Sequence, residues 1–116
     1  MRYKQEVEKF SSVLMILMKE HGYSQRELAR KIDIDHRTVG FWINAANGIS
    51  TEVALTLLEV LYRDLGKTNM LRDLAITIDE MEENWNLHPR RIGQRSRESN
   101  YERSKRLVEM IRFLRK

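Results

Sequence analysis

The 116-residue chain contains no cysteine and a single proline, Pro89. The absence of cysteine excludes disulfide bonds and thiolate zinc sites, and it fits the reducing cytoplasm, where we expect the protein to reside. The apolar run from Phe10 to Met18 is too short to cross a bilayer, and no small-residue cleavage site accompanies it. We therefore expect neither a membrane span nor a signal peptide.

The sequence also lacks the patterns that mark catalytic, metal and cofactor sites. Its three histidines, His21, His36 and His88, are widely separated, and none has a metal-ligand spacing such as HExxH. No glycine-rich phosphate loop and no nucleophile elbow is present. The four carboxylates within residues 79–83 indicate a solvated helix face rather than a cation site. We expect a protein that is not an enzyme and that uses no cofactor and no metal.

Basic and acidic side chains are unevenly distributed along the chain, whose net charge is +4. Residues 1–48 carry a net charge of +2, residues 49–88 of −5 and residues 89–116 of +7. An acidic middle and a basic tail suggest different neighbours for the two segments. The length allows one domain with an appended element, and a chain of this size buries roughly two-thirds of its unfolded surface.

Apolar residues recur at helical spacing along the chain, and no segment convincingly shows the alternation typical of a strand. We predict an all-α fold, with a five-helix core and an additional C-terminal helix. Two of the helices are short and lie within residues 24–44. The others are predicted over about residues 4–21, 51–63, 68–86 and 101–114.

The two short helices are joined by a tight turn, and local signals define them. Ser24 and Glu27 have the spacing of a capping box, which starts the first of these helices at the residue after Ser24. Asp33 lies at the turn, where aspartate tolerates a left-handed backbone, and Asp35 can cap the second short helix. The residues expected to face inward are Leu28, Ala29, Ile32, Ile34, Val39 and Trp42.

This segment resembles the helix-turn-helix of the Cro and lambda-repressor type, also called Xre-like regulators, over roughly residues 5–62. In that family a glutamine commonly opens the first helix and an alanine follows four residues later, as Gln25 and Ala29 do here. A tryptophan near the end of the second helix and a glycine shortly after it are also common, and they correspond to Trp42 and Gly48.

Two positions depart from the family pattern. Asp33 stands where a glycine is usual in the turn. Ile43 stands where an acidic residue usually follows the tryptophan, which suggests unusual packing beyond the second short helix.

The resemblance implies a lambda-repressor-like core and a sequence-specific transcriptional regulator whose partner is double-stranded DNA. In such proteins the second helix, here Asp35–Asn44, enters the major groove while the first lies across the backbone. Arg37 can pair with a guanine and Asn44 with an adenine, whereas Gln25 is placed for a phosphate. The full set of expected contacts in this domain is Gln25, His36, Arg37, Thr38, Gly40, Phe41, Asn44 and Asn47.

Two of these residues have particular interpretations. Gly40 removes bulk and lets the backbone approach the groove. Phe41 either lies against a thymine methyl group or is a buried or interface aromatic.

We predict that residues 1–66 form the DNA-binding domain and that residues 67–116 form a helical extension. Two apolar stripes, Leu71 to Trp85 and Leu107 to Leu114, exceed what a compact five-helix core needs. The first helix also has a surplus apolar face. We therefore expect a homodimer that assembles through the extension. No effector pocket is evident.

A basic arm within the extension, defined by Arg90, Arg91, Arg95 and Arg97, is expected to contact DNA. It can lie along DNA phosphates or in the minor groove, or it can pair with the acidic fifth helix. Exposed ion pairs contribute only about 0–1 kcal/mol each, whereas each phosphate contact also releases condensed counterions. The first alternative is therefore favoured.

Two other functions remain open. An architectural or packaging DNA binder, such as a small-terminase-like subunit, would use the same motif in a ring, so the mass of the oligomer separates it from a dimeric regulator. A protein-interaction module would keep the motif without binding DNA. The low net charge of residues 24–48, only +1, favours this module.

Overall fold

The computed structural model describes residues 4–46, 49–85 and 97–116, and this part of the chain contains six α-helices and no strand. The predicted all-α fold is therefore confirmed. In chain order the helices are α1 (Lys4–His21), α2 (Gln25–Ile32), α3 (His36–Ile43), α4 (Thr51–Leu65), α5 (Asn69–Trp85) and α6 (Arg97–Arg115).

Local sequence signals account for most helix boundaries. Ser24 accepts a hydrogen bond from the Glu27 amide, and the Glu27 side chain accepts one from the Ser24 amide, so the predicted capping box is present. Asp33 ends α2 with φ 58°, in the predicted left-handed conformation. Asp35 caps α3 and Ser50 caps α4 through side-chain oxygens that accept backbone amides.

Only α6 begins well away from its predicted position, at Arg97 instead of Tyr101. Its first turn is polar and carries no apolar repeat, so periodicity does not detect it. The predicted linker of residues 90–100 is thus helical in its last four residues. Residues 86–96 lie outside the described part of the chain.

One continuous apolar core joins all six helices. Phe10 of α1 and Trp42 of α3 are both at most 1% exposed, and their rings pack edge to face with centroids 6.0 Å apart. Side chains of this size contribute about 1.5–3 kcal/mol each when fully buried. Five of the six residues expected to face inward in α2 and α3 are buried, and Ile34 is partly buried against them.

The last two helices close over the others within the same chain. Helix α5 packs on α1 and α4, and α6 packs on α4 and α5. At the edge of α6, Phe113 packs edge to face on Tyr62, and Lys67 Nζ lies 4.8 Å from the centroid of the Phe113 ring. An ion pair of Arg106 with Glu59 also joins α6 to α4, and an ion pair of Arg115 with Asp79 joins α6 to α5.

This packing corrects the premise on which the homodimer was predicted. The stripe residues Leu71, Leu74 and Ile78 are at most 1% exposed, and Leu107, Ile111 and Leu114 are at most 2% exposed. The two stripes are surplus to a five-helix core, but they cover each other and α1 and α4, so they require no second subunit. The homodimer stays a prediction.

The surplus face of α1 is smaller than its sequence suggests. Met18 is buried and Val13 partly buried, whereas Met15 and Ile16 are 47% and 54% exposed. Among the described helices, none combines the length and the apolar character that a membrane span needs.

Candidate nucleic-acid interface

Helices α2 and α3 meet through a three-residue turn that closes with backbone hydrogen bonds. The amide of Asp33 donates to the carbonyl of Arg30 at 3.3 Å, and the amide of Ile34 donates to that of Ala29 at 3.0 Å. These bonds satisfy carbonyls that the end of α2 would otherwise leave without partners. Ala29 is 2% exposed, so a larger side chain at this position would have to be accommodated within the core.

The C-terminal end of α3 is attached to α1. The hydroxyl of Ser11, which is 5% exposed, donates to the carbonyl of Ile43 at 2.6 Å. The contact of Trp42 with Phe10 is a second attachment between this end of α3 and α1. Ile43 itself is partly buried against the core, which accounts for an apolar residue at this departure from the family pattern. Ser11 is thus a packing and hydrogen-bonding residue.

The face of α3 opposite the core presents three side chains at helical spacing. Arg37, Phe41 and Asn44 are all exposed, while Val39 and Trp42 on the other side are buried. Phe41 is 47% exposed, which excludes the interpretation of this residue as a buried aromatic. His36, Thr38 and Gly40 are partly exposed beside this stripe.

Gln25 bridges the two helices, a role that the sequence did not reveal. Its Nε2 donates to the carbonyl of His36 at 2.8 Å. The same Nε2 lies 2.9 Å from the position that a Cβ on Gly40 would occupy. The glycine therefore makes space for the Gln25 side chain. Among the described residues, the Gln25 Oε1 and the second Nε2 hydrogen have no hydrogen-bond partner, so they remain for a contact with a ligand.

Asp35 and Arg37 form an exposed ion pair at the start of α3. The Arg37 amide donates to Asp35 Oδ1 at 2.8 Å, and the guanidinium donates from Nε to Oδ1 at 3.3 Å and from Nη2 to Oδ2 at 3.1 Å. These bonds from Arg37 hold the pKa of Asp35 below its usual value. Residues two apart do not meet on a helix surface, but Asp35 has an extended backbone and precedes the helix.

A second polar cluster joins α2 to α4. Lys31 Nζ lies 2.7 Å from Asp64 Oδ2, and the Tyr23 hydroxyl donates to the same oxygen at 3.1 Å. The hydrogen bonds from Lys31 and then Tyr23 lower the pKa of Asp64, and the bond to Asp64 raises the pKa of Lys31. Lys31 and Tyr23 are both more than thirty residues from Asp64 in the sequence, so no local sequence pattern predicts these contacts.

The structure places only part of the predicted contact set. Gln25 and the α3 residues lie together around the α2–α3 turn and the outer face of α3. Asn47, Arg90, Arg91 and Arg95 lie outside the described residues. Arg97 is the first residue of α6. Within the described ranges no three histidine, aspartate or glutamate side chains cluster in a way that would hold a metal ion.

Comparison with known proteins gives one match. A helix-turn-helix family model matches residues 14–66, from the middle of α1 to the residue that ends α4. The chain matches no curated protein and no solved structure. The match supports a DNA-binding helix-turn-helix regulator in general terms, from a family that is typically non-enzymatic. The match also confirms that residues 14–66 resemble the helix-turn-helix of the Cro and lambda-repressor, Xre-like type.

Proposed function

We propose that the protein is a sequence-specific transcriptional regulator that reads the major groove of double-stranded DNA with Asp35–Asn44. The exposed stripe of Arg37, Phe41 and Asn44 on α3 carries this proposal. A helix fits the major groove, and each base pair presents a distinct set of donors and acceptors there. A stripe of one cation, one amide and one aromatic ring matches what base edges offer. Binding of cellular DNA would place the protein in the cytoplasm.

Each stripe residue has a base partner that suits its chemistry. The guanidinium of Arg37 can donate two bonds to guanine O6 and N7, and the amide of Asn44 can pair with adenine N6 and N7. The exposed ring of Phe41 can lie against a thymine methyl group. His36, Thr38 and Asn47 would complete the contact surface. Gly40 keeps the backbone close to the groove.

Phosphate contacts would fix the orientation of the domain on the duplex. Within the part of the chain that the structure describes, Gln25 keeps one amide oxygen and one N–H without a partner at the N-terminal end of α2, where backbone dipoles also favour an anion. Arg26 and Arg30 lie one turn apart on the exposed side of α2 and make no ion pair with the described residues. These two cations are therefore available for the DNA backbone.

Beyond residue 66, we propose that the basic arm increases the affinity for DNA. Asp79 and Glu80 of the acidic α5 already pair with Arg115 and Lys9. This leaves fewer carboxylates of α5 for the basic arm, which favours DNA phosphates as the target of Arg90, Arg91, Arg95 and Arg97.

A homodimer would match a two-fold symmetric site with half-sites about one helical turn, roughly 34 Å, apart. The exposed Met15 and Ile16 of α1 are the apolar residues that a second subunit would cover. Sedimentation equilibrium over a wide concentration range tests the dimer. A chain that stays monomeric at high concentration would exclude it.

The test of the function is selection of bound duplexes from a random library, followed by titration of the enriched site. Arg37→Ala and Asn44→Ala should each lose about 1–3 kcal/mol on that site and relax the preference at one base pair. Arg112→Ala is a matched control, since Arg112 is an exposed cation of α6 without an ion pair among the described residues. If wild-type protein enriches no sequence, this function is wrong.

One observation favours a protein-interaction module as the second candidate. Of the four basic residues within 24–48, Lys31 and Arg37 are already paired with carboxylates. Few cations therefore remain on the motif for DNA. Failure of the wild-type chain to bind any duplex, even at low salt, would favour this alternative.

A further inference from the structure

The carboxylate of Asp35 holds both the backbone and the side chain of Arg37, the first residue of the exposed stripe on α3. Asp35 Oδ1 accepts the amide of Arg37, which caps α3, and the two oxygens of the same carboxylate accept Nε and Nη2 of its guanidinium. The Arg37 side chain is nevertheless 76% exposed. It is held along one edge and open along the others.

The edge that Asp35 occupies decides which donors remain. A guanidinium has five N–H groups in a rigid plane. Asp35 accepts the Nε hydrogen and one Nη2 hydrogen, which lie along one lateral edge of the planar group. The outer edge keeps one hydrogen on Nη1 and one on Nη2, and these point in parallel. That pair matches the two acceptors, O6 and N7, that guanine presents in the major groove.

We propose that Asp35 is a positioning residue that presents the outer edge of Arg37 to a guanine and so makes one base pair of the site guanine-specific. This inference rests on the proposed function. A long arginine that is already held loses less rotamer freedom when it binds. The carboxylate also repels phosphates, so it disfavours binding to unrelated sequences, where Arg37 gains no base contact.

Two substitutions distinguish the positioning of Arg37 by Asp35 from the capping of α3 by Asp35 and from the charge of Arg37. Asp35→Asn retains a side-chain oxygen that can accept the Arg37 amide, but it removes the charge and the second acceptor oxygen. Arg37→Lys retains the cation and the intact Asp35 cap, but it removes the planar fork. Both variants are compared with wild-type protein on the enriched site and on three duplexes that carry another base in place of the guanine assigned to Arg37.

Wild-type protein should prefer that guanine by roughly 5- to 150-fold, the range for one good bidentate contact. Asp35→Asn should reduce the preference at least fivefold, while its affinity for an unrelated duplex stays equal or rises. Arg37→Lys should reduce the guanine preference by as much as Asp35→Asn does. The double variant should reduce it by no more than either single variant. In the free protein, NMR relaxation should show a rigid Arg37 Nε–H bond vector in wild type and a mobile one in Asp35→Asn.

Each other result contradicts the inference. An unchanged guanine preference in Asp35→Asn would show that the carboxylate does not position Arg37, and a stronger preference would show that the carboxylate competes with DNA for Arg37. An enriched site without a guanine that depends on Arg37 would also overturn it. Equal thermal unfolding of the variants rules out loss of the fold as the cause. Enrichment of no sequence by wild type would instead refute the proposed function, and this inference with it.

Discussion

The contact between Gln25 and Gly40 makes a prediction about stability that depends on two residues at once. An alanine at position 40 would place its Cβ 2.9 Å from Gln25 Nε2, which is too close, so the end of the glutamine side chain has to move. The movement breaks the 2.8 Å hydrogen bond from Nε2 to the carbonyl of His36. A typical bond of this kind contributes about 0.5–1.5 kcal/mol.

A second effect opposes this loss. Alanine in a helix interior is more stable than glycine by about 0.5–1 kcal/mol. Gly40→Ala alone should therefore change the free energy of unfolding little, because gain and loss nearly cancel. In a Gln25→Ala background no side chain is displaced, and the same substitution should stabilise by the full amount of about 0.5–1 kcal/mol.

Urea denaturation of wild type, both single variants and the double variant, followed by circular dichroism, measures the coupling between the two sites. The coupling free energy should be about 0.5–1.5 kcal/mol, the contribution of the hydrogen bond that the cycle isolates. Independent sites add to within about 0.3–0.5 kcal/mol. Coupling below that limit would refute the bridge between α2 and α3, and Gly40 would then have to be explained by DNA alone.

Three further predictions concern other parts of the chain. Ala45 has φ 54° after α3, and a left-handed backbone is unfavourable for alanine, so Ala45→Gly should raise the free energy of unfolding by about 0.5–1 kcal/mol; an unchanged denaturation midpoint would contradict this. The lowered pKa of Asp64 means that its stabilisation is present above its unfolded pKa of about 3.9 and is lost as pH falls through the lower folded value. The stability difference between wild type and Asp64→Asn should accordingly shrink as pH falls below about 4, and a difference that does not change with pH would argue against the pairing with Lys31. Replacing Arg90, Arg91, Arg95 and Arg97 with alanine should lower DNA affinity and reduce the salt slope by about 0.9 per lost contact, whereas an unchanged slope would assign the arm to the protein's own surface.

The elements that the sequence predicted well are those whose cause is local. Ser24 and Glu27 form a capping box because they are three residues apart, whatever surrounds them. The same holds for the left-handed Asp33 and for Asp35 at the start of α3. A helix-turn-helix is short and its boundaries are set by such signals, so its position and its resemblance to a known motif were predictable from one sequence.

The contacts that join distant segments were not predictable in this way. Periodicity shows that Leu71 to Trp85 has an apolar face, but not whether a partner or the same chain covers it. The bond from Ser11 to the Ile43 carbonyl and the pair of Lys31 with Asp64 depend on how helices cross. The bridge from Gln25 to His36 depends on the angle between α2 and α3, and only the co-occurrence of glutamine at the start of α2 with glycine in α3 offered a signal.

The ion pairs of the motif bear on how affinity and specificity would be divided between parts of the chain. A cation that is already paired with a carboxylate neutralises a phosphate only after that pair is broken or shared, so it contributes less to counterion release. Lys31 and Arg37 are each paired with a carboxylate, whereas Arg26 and Arg30 form no ion pair with any residue in the described ranges. A motif with so few free cations gains little non-specific affinity. If the chain reads DNA as proposed, α3 with its held Arg37 supplies mainly discrimination, and the basic arm of Arg90, Arg91, Arg95 and Arg97 supplies much of the attraction to phosphates. Specificity is then favoured because the reading surface itself binds unrelated DNA weakly.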